Sequence, residues 1–524
     1  MKNNSRKIDT QAALDRAVWE VCNILRRDKA KGARLYVPEL TWMLFLCALD
    51  AKESEEEQRA AAVGQSFSPT IAQPYRWRDW AAAFDRRMPL LEAAEKQLPG
   101  WKRQELTEAG SGRFLHFVNK ELFPHLRSLR ESGTTDRQKV VGEIFVSKEQ
   151  TVVASETNLL DCLDGIARLQ ASEISDRHMF PLSQAFEGLL PRLGEKKNDG
   201  GQFFTPREII RVIVRAVNPQ LGGAIYDPCC GTGGFLIEGF QHLMQQQPTP
   251  TQVQQLMSET VWGREDGAEA IPLCLANMML HGIDLPRIWH GNTLTKAVTY
   301  SGLFEGAPEQ FDYVMTNPPF GGKEGATAQA QFAFKTGKTQ VLFLQHVIDA
   351  LRDGGTCGMV IDEGVLFHTK TRAYLQTKRK LLDECDLWCV LSLPPGVFVN
   401  AGAGVKTNLL FFTKGRQTER VWYYDLSDVH ITKKTPLTIE HFDDFFERLA
   451  LSADHKGRIS ERSWYESVVD IKARDYDLKA TNPNAPDTTD KRTPEELLQI
   501  IEEAQHEISQ AAKNLREQLQ SPLL

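Results

Sequence analysis

The sequence predicts an α/β fold: a mostly parallel sheet covered by helices, preceded by a helical region and followed by one long helix. Three patterns lead to this prediction. They are apolar residues at helical spacing up to about residue 150, short β-rich runs alternating with helical patterns from about 200 to 420, and a heptad-like stripe near the C-terminus. Because 524 residues exceed what a single hydrophobic core usually serves, we expect two or three domains. We place their bounds at 1–165, 166–480 and 481–524.

The N-terminal region shows apolar stripes with the period of an α-helix. One stripe consists of Leu14, Val18, Val21, Cys22 and Leu25. A second stripe contains Leu40, Leu44 and Ala48, and Pro38 suits the first position of that helix, where its missing N–H costs nothing. These stripes predict core or partner-facing surface and suggest no catalytic role.

The central region begins after a polar, glycine-containing stretch at 194–202, which predicts a boundary or an exposed loop. The strand candidates that come after it are 224–226, 260–262, 311–315, 358–361 and 388–391. Strands that alternate with helices form parallel sheets covered on both faces. Because ligands bind such sheets beyond the carboxyl ends of the strands, we expect binding residues directly after these candidates.

The C-terminal region opens with a breaker-rich linker at 482–486. Thr493 and Glu496 form a capping-box pattern around Pro494. The heptad-like seam after it consists of Leu497, Ile501, Ala504, Ile508, Ala511 and Leu515. A narrow apolar stripe on a long helix predicts docking, either on a partner or on the chain's own N-terminal helices.

The composition of the chain argues against a membrane protein, a secreted disulfide-rich protein and a metal-binding protein. No apolar run approaches the roughly 20 residues of a membrane helix, and the polar N-terminus lacks a signal-peptide pattern, so we expect a cytoplasmic protein. Nine scattered cysteines do not form a disulfide framework, and Cys385 and Cys389 lack the further ligands of a zinc site, so we expect no metal. A net charge of -7 does not favour a protein that grips nucleic acid unaided.

The first motif that carries chemistry is Asp-Pro-Cys-Cys-Gly-Thr-Gly-Gly-Phe at 227–235, directly after a strand candidate. Glycines at 231, 233 and 234 allow a tight turn and a close approach of backbone to a ligand, with helix N-terminal amides facing it. The motif is not a phosphate loop, because no lysine occurs at the required spacing. Near Lys338 such a loop is also excluded, because Phe332 occupies the place of the first glycine.

Two more motifs lie directly after strand candidates. Glu265 lies about thirty residues beyond the glycine turn, a spacing that suits hydrogen bonding to ribose hydroxyls. In Asn-Pro-Pro-Phe at 317–320 the prolines fix a rigid turn, so the Asn317 side chain and the Pro318 carbonyl converge as acceptors for the two hydrogens of an amino group. Phe320 offers a flat face on which a base can stack. The alternative is a purely structural proline turn.

A fourth segment, Gln-Phe-Phe-Thr-Pro-Arg at 202–207, precedes a helix that we expect to start near Glu208. Thr205 is its predicted N-cap and Pro206 its first helical residue. Taken alone, this segment is only a helix start.

In chain order the four motifs resemble those of amino-methyltransferases that form N6-methyladenine in DNA. More narrowly, they are similar to the modification subunit of type I restriction-modification systems. The resemblance covers nearly the whole chain and includes the segments 44–46, 74–77, 393–398 and 405–408 and the terminal helix. It implies a Rossmann-like methyltransferase domain that uses S-adenosyl-L-methionine.

The resemblance also implies roles for individual residues. Contacts to S-adenosylmethionine are implied for Gln202, Phe203, Phe204, Thr205, Pro206, Arg207, Thr232, Gly233, Gly234 and Glu265, with Asp227 and Gly231 shaping the pocket. The catalytic turn consists of Asn317, Pro318, Pro319 and Phe320, which would hold a flipped adenine. Asn292 departs from the family's usual aspartate and would accept a hydrogen bond from the cofactor adenine more weakly than a carboxylate.

The implied partners are double-stranded DNA, a DNA specificity subunit, a second copy of this chain and, for cleavage, a restriction subunit. Such partners explain how an acidic chain could act on DNA. Two alternatives remain open: a methyltransferase for another amino or amide group, such as an RNA base or a protein glutamine, and a non-catalytic scaffold that retains the cofactor fold.

Overall fold

The computed structural model describes residues 11–87, 89–170, 205–398, 406–432, 435–484 and 492–520. The chain divides into two compact units, Met1–Thr481 and Asn482–Leu524. The predicted boundary stretch at 194–202 lies outside the described residues.

The N-terminal part of the first unit is helical, as predicted. Its helices are α1 (Gln11–Arg27), α2 (Ala33–Ala62), α3 (Trp77–Trp80), α4 (Leu90–Glu95), α5 (Trp101–Glu108), α6 (Arg113–Phe117), α7 (Phe123–Ser132), α8 (Asp136–Ile144) and α9 (Glu156–Gln170), with a π-helical turn at Val118–Leu122 between α6 and α7. All apolar residues of the two predicted stripes are buried.

The predicted start of the second helix is wrong. Helix α2 begins at Ala33, so Pro38 lies inside it rather than at its first position. The proline removes the hydrogen bond that the Arg34 carbonyl would accept, and Arg34 is an exposed residue, so water can replace the lost donor.

The second part of the unit is a ten-stranded sheet in the order β10-β9-β7-β8-β6-β5-β1-β2-β3-β4. Its strands are β1 (Ile225–Asp227), β2 (Val261–Glu265), β3 (Arg287–Asn292), β4 (Ala297–Tyr300), β5 (Phe311–Thr316), β6 (Leu351–Asp362), β7 (Cys385–Ser392), β8 (Thr407–Lys414), β9 (Arg420–Asp425) and β10 (Ser463–Ser467). The central strands β3, β2, β1, β5 and β6 are parallel to one another. Antiparallel pairing occurs at β4, β8 and β10, so the sheet is mostly parallel, as predicted.

Helices cover both faces of the sheet. They are α10 (Arg207–Val217), α11 (Gly234–Met244), α12 (Pro250–Ser258), α13 (Ala270–Leu280), α14 (Ala326–Gln329), α15 (Thr339–Ala350), α16 (Glu363–Phe367), α17 (Arg372–Glu384), α18 (Asp443–Leu449) and α19 (Val468–Ala473), with 3-10 turns at Ile439–Phe442 and Lys456–Arg458. Helices α10, α11 and α13 share one core cluster with the N-terminal helices, whereas α15 and α17 pack in a second cluster. The neighbouring residues Ile225 and Tyr226 of β1 belong to different clusters, so side chains on both faces of this central strand are buried.

Buried charges join the helical region to the sheet. Glu143 of α8 is 1% exposed, and its Oε1 lies 2.7 Å from Nδ1 of His290 on β3. Its Oε2 forms a 2.9 Å ion pair with Nε of Arg130. The Arg130 guanidinium also lies over the ring of Tyr300, 4.4 Å from its centroid. The carboxylate of Glu143 therefore fixes α7 and α8 against the β3–β4 edge.

The second unit contains helix α20 (Pro494–Gln520). The predicted capping box is confirmed: the Glu496 N–H donates to Thr493 Oγ1 over 3.2 Å, and the Thr493 N–H donates to Glu496 Oε2 over 2.7 Å. Apolar side chains of the predicted seam are exposed, Ile501 at 60% and Ile508 at 70%. None of the described helices combines the length and apolar character that a membrane crossing requires.

Replacing Glu143 by alanine should destabilise the first unit by about 3 kcal/mol, because the buried His290 and the half-buried Arg130 lose the carboxylate that they share. Urea denaturation followed by tryptophan fluorescence measures this loss. The matched control is Glu131→Ala on the same helical pair, since the Glu131 side chain is 83% exposed and also faces Arg130. It should cost less than about 0.5 kcal/mol. Equal losses in the two variants would contradict the role assigned to Glu143.

Candidate active site

The order of the central strands brings the predicted motifs to one edge of the sheet. Strand β1 lies between β2 and β5, and all three run parallel. Their carboxyl ends are Asp227, Glu265 and Thr316, so the glycine turn, the acidic residue and the Asn-Pro-Pro-Phe turn begin side by side. Such an edge is where open α/β sheets bind ligands.

The glycine turn requires glycine at two of the three positions predicted for it. Gly231 and Gly233 have φ values of 54° and 83°, in the left-handed region that favours glycine. A Cβ at Gly233 would also lie 3.2 Å from the sulfur of Cys274. Helix α13 supports the turn, because Asn277 Nδ2 donates to the Thr232 carbonyl over 2.8 Å. The turn therefore presents backbone amides at the start of α11.

Glu265 is held by the backbone around it. Its Oε2 accepts from the Gly231 N–H over 2.8 Å, and its Oε1 accepts from the N–H groups of Asp266 and Gly267 over 3.1 and 2.8 Å. Burial raises the pKa of this carboxyl, while the three backbone donors act in the opposite direction. The carboxylate thus ties the end of β2 to the glycine turn.

Asp227 is buried at the end of β1 and bonds across to β5. The Thr316 hydroxyl donates to Asp227 Oδ1 over 2.7 Å, and the Cys229 N–H donates to the same oxygen over 3.1 Å. Burial raises the pKa of Asp227 to about 7 despite these two donors. Thr316 was not predicted as a site residue, although its place directly before Asn317 was a signal for it.

Asn317 has one satisfied and one unsatisfied end. Its Nδ2 donates to Thr205 Oγ1 over 3.0 Å. Its Oδ1 is buried and, among the residues that the structure describes, has no hydrogen-bond partner. The neighbouring Pro318 carbonyl accepts from Gln340 Nε2 over 3.3 Å, and Gln340 Oε1 in turn accepts from the Asp362 N–H. The turn therefore contains a buried acceptor that the described part of the protein does not use.

The aromatic residue of this turn is fixed by a second ring. Phe320 is half-buried and meets the fully buried Phe398 edge to face, with ring centroids 5.2 Å apart. Pro319 precedes it in the turn, half-buried. The contact holds the Phe320 ring at the same edge as the Asn317 amide.

Two details of the predicted site differ from the structure. Helix α10 begins at Arg207 with Pro206 at its N-cap and no side-chain cap, so the predictions of Thr205 as N-cap and of Pro206 as first helical residue are both wrong. The Thr205 hydroxyl bonds to Asn317 instead. Residues 202–204 of the same segment lie outside the described part of the chain.

Asn292 makes local contacts. Its Oδ1 accepts from the N–H groups of Leu294 and Thr295 over 3.1 and 2.9 Å, and its Nδ2 donates to Asp266 Oδ2 over 2.9 Å. Both lone pairs of the oxygen are therefore engaged in the turn between β3 and β4. The acceptor role expected of Asn292 toward a cofactor stays a prediction.

Comparison with known proteins gives two family matches. The model described as N-6 DNA Methylase matches residues 176–492, and the model described as HsdM N-terminal domain matches residues 14–164. Among curated proteins, the type I restriction enzyme EcoEI methylase subunit of Escherichia coli is 31% identical over 96% of each chain. The EcoKI methylase subunit of Escherichia coli K12 is 30% identical over 82% of this chain and 74% of that protein.

Solved structures agree with these matches. A chain from a structural study of the complex assembly of a type I restriction-modification system has 36% identity and a TM-score of 0.71, covering 98% of this chain and 99% of its own. A modification subunit of a putative type I restriction enzyme from Vibrio vulnificus YJ016 has 29% identity and a TM-score of 0.73, covering 92% and 99%.

Stability should depend on pH through Asp227. Its pKa in the folded protein is about 7, above the ordinary value of 3.8. The protonated carboxyl therefore contributes fully to the free energy of unfolding below about pH 4, and this contribution is lost as the pH rises through about 7. Asp227→Asn keeps an oxygen that accepts from Thr316 and Cys229 but does not titrate. We expect the unfolding free energy of the wild type relative to this variant to fall between about pH 4 and 7 and to level off above. Urea denaturation across this range measures it, and a difference that rises with pH would contradict the assignment.

Proposed function

The chain belongs to the N-6 DNA methylases, among the methylase subunits of type I restriction enzymes, and from that premise we propose that it transfers a methyl group from S-adenosyl-L-methionine to the N6 amino group of adenine in double-stranded DNA. The cofactor supplies an electrophilic methyl group on a sulfonium. The protein therefore has to orient the two reactants and stabilise the charge that develops between them.

The observation that carries the proposal is the buried Oδ1 of Asn317, which has no hydrogen-bond partner in the described part of the chain. A buried acceptor without a donor is costly unless a ligand supplies the donor. An exocyclic amino group carries two hydrogens, one for Asn317 Oδ1 and one for the second lone pair of the Pro318 carbonyl. Accepting both hydrogens turns the nitrogen lone pair toward the methyl group and stabilises the positive charge that forms on the nitrogen.

The cofactor would lie against the glycine turn and Glu265. The positive φ values at Gly231 and Gly233 form the tight turn that leads into the first turn of α11, where backbone amides would face the cofactor. Glu265 accepts from three backbone amides, and the remaining lone pair on its Oε2 suits a ribose hydroxyl. Above about pH 7 the Asp227 carboxyl is ionised and would favour a cationic ligand over a neutral one.

The adenine has to leave the duplex to reach this site, at a cost of a few kcal/mol. Phe320, fixed edge to face by Phe398, offers a face on which the flipped base can stack. Flipping and stacking require the duplex to be held firmly, which a net charge of -7 does not favour for the chain alone.

Partner proteins would hold and recognise the DNA. The chain resembles proteins named as methylase subunits, so we propose that a separate specificity subunit recognises the DNA sequence and that two copies of this chain act on one duplex. Where the system cleaves DNA, a restriction subunit would do so. The exposed apolar residues of α20 suit a contact with a partner subunit.

Replacing Asn317 by alanine should lower methyl transfer to DNA about 100- to 1000-fold, because the variant loses an acceptor that acts on the developing charge. Transfer of tritiated methyl groups to DNA by the complex with its specificity subunit measures the effect. The control Asn23→Ala lies on α1, away from the sheet edge, and should leave the rate unchanged. Full activity of the Asn317 variant would contradict the proposed site. A wild-type complex that transfers no methyl group and does not bind S-adenosylmethionine would instead favour the scaffold interpretation.

Replacing Glu265 by alanine should weaken binding of S-adenosylhomocysteine at least about tenfold, because the ribose loses its acceptor and the glycine turn loses its tie to β2. Isothermal titration calorimetry on the isolated chain measures the dissociation constant. Glu269→Ala, an exposed position just beyond the same strand, is the matched control. A wild-type chain that binds neither S-adenosylhomocysteine nor S-adenosylmethionine would refute the cofactor assignment.

A further inference from the structure

We propose that Thr205 is a positioning residue for Asn317: its hydroxyl engages the amide nitrogen and so leaves the amide oxygen for the target amino group. The inference rests on the proposed function, since it concerns how the same acceptor is oriented. The resemblance of the sequence to known methyltransferases implied a different role for Thr205, a contact to the cofactor.

The orientation of a carboxamide decides what it can bind. Its oxygen accepts hydrogen bonds and its nitrogen donates them, while the two ends have nearly the same size, so a half-turn exchanges them without a steric penalty. An amino group that approached the nitrogen end would meet donor against donor. Asn317 therefore works as an acceptor only in one of its two orientations.

The structure shows that orientation together with the contact that accompanies it. Asn317 Nδ2 donates to Thr205 Oγ1 over 3.0 Å, and Oδ1 is the end left buried without a partner among the described residues. Other polar side chains of this edge are engaged elsewhere. The Thr316 hydroxyl donates to Asp227, and Gln340 bonds to the Pro318 carbonyl and the Asp362 N–H.

A hydroxyl is the group that suits this place. It can accept from Nδ2 or, if the amide turns, donate to Oδ1. Only the first arrangement leaves Oδ1 to a ligand, and in it the threonine and the ligand satisfy opposite ends of the amide at once. Occupation by the amino group and the bond to Thr205 therefore reinforce each other.

Thr205 is itself held in place by the start of helix α10. Pro206 restricts the backbone of the preceding residue to extended conformations. The Pro206 carbonyl accepts from the N–H groups of Ile209 and Ile210 over 3.0 and 3.2 Å, so it is fixed to the first turn of α10. The hydroxyl thus reaches Asn317 from a rigid segment 112 residues earlier in the chain.

The test compares Thr205→Val, which keeps the shape and removes the hydroxyl, with Thr205→Ser, which keeps the hydroxyl. In the complex with specificity subunit and DNA, we expect Thr205→Val to lower kcat about tenfold or more while the KM for S-adenosylmethionine changes less than about twofold. Thr205→Ser should retain kcat within about threefold. Thr377→Val, which removes a buried hydroxyl bonded to the Ala373 carbonyl on α17, is the control for general loss of packing and should leave kcat unchanged.

A double-variant cycle separates positioning through Asn317 from any other role. In an Asn317→Ala background the amide is gone, so Thr205→Val should cost no further activity. The inference is overturned if Thr205→Val raises the KM for S-adenosylmethionine with kcat unchanged, because the residue then acts on the cofactor. It is also overturned if Thr205→Val lowers kcat by the same factor with Asn317 present and in the Asn317→Ala background. If Thr205→Val does not fold, the same cycle with Thr205→Ala decides. A wild-type complex that transfers no methyl group refutes the proposed function instead, so the two failures are distinguishable.

Discussion

The parallel pairing of β1 with β5 is the constraint on which the site depends. The register Ile225 to Tyr313 and Tyr226 to Val314 ends both strands at one level, and the bond from the Thr316 hydroxyl to Asp227 closes the junction between them. The proposed chemistry depends on that adjacency. In the proposed function, the turn after β1 would shape the place for the cofactor and the turn after β5 would present the amide acceptor. Segments about ninety residues apart in sequence thereby lie next to each other at one edge of the sheet.

Most polar groups of this edge have hydrogen-bond partners within the protein. Backbone amides hold Glu265, two donors hold Asp227, and Gln340 supports the Pro318 carbonyl. Two buried amide oxygens near this edge lack a hydrogen-bond partner among the described residues, Asn277 Oδ1 behind the glycine turn and Asn317 Oδ1, and only the second belongs to the turn after β5. Preorganised groups of this kind lower a barrier because they need no rearrangement when charge develops. A buried acceptor without a donor lowers the stability of the folded protein, and the other interactions of the fold offset this loss.

The sequence predicted those parts of the fold that a local pattern encodes. The five strand candidates lie in β1, β2, β5, β6 and β7, because apolar runs between breakers are strong signals. The other five strands, β3, β4, β8, β9 and β10, were not among the candidates; in β4 the first three residues are exposed and carry no alternation. Thr316, Gln340 and Asn277 escaped prediction for a different reason: each acts on a partner from another element, and only the folded chain brings the two together. The roles of Thr205 and Asn292 depend in the same way on tertiary contacts.

The central claim is that this edge methylates the amino group of adenine in DNA. Its most direct test is to label DNA with isotopic methyl groups from S-adenosylmethionine, using the complex of this chain with its specificity subunit, and to digest the product to nucleosides for mass spectrometry. We predict that the label appears only as N6-methyldeoxyadenosine. Label in a methylated cytosine, or in protein glutamine with none in the DNA, would contradict the claim.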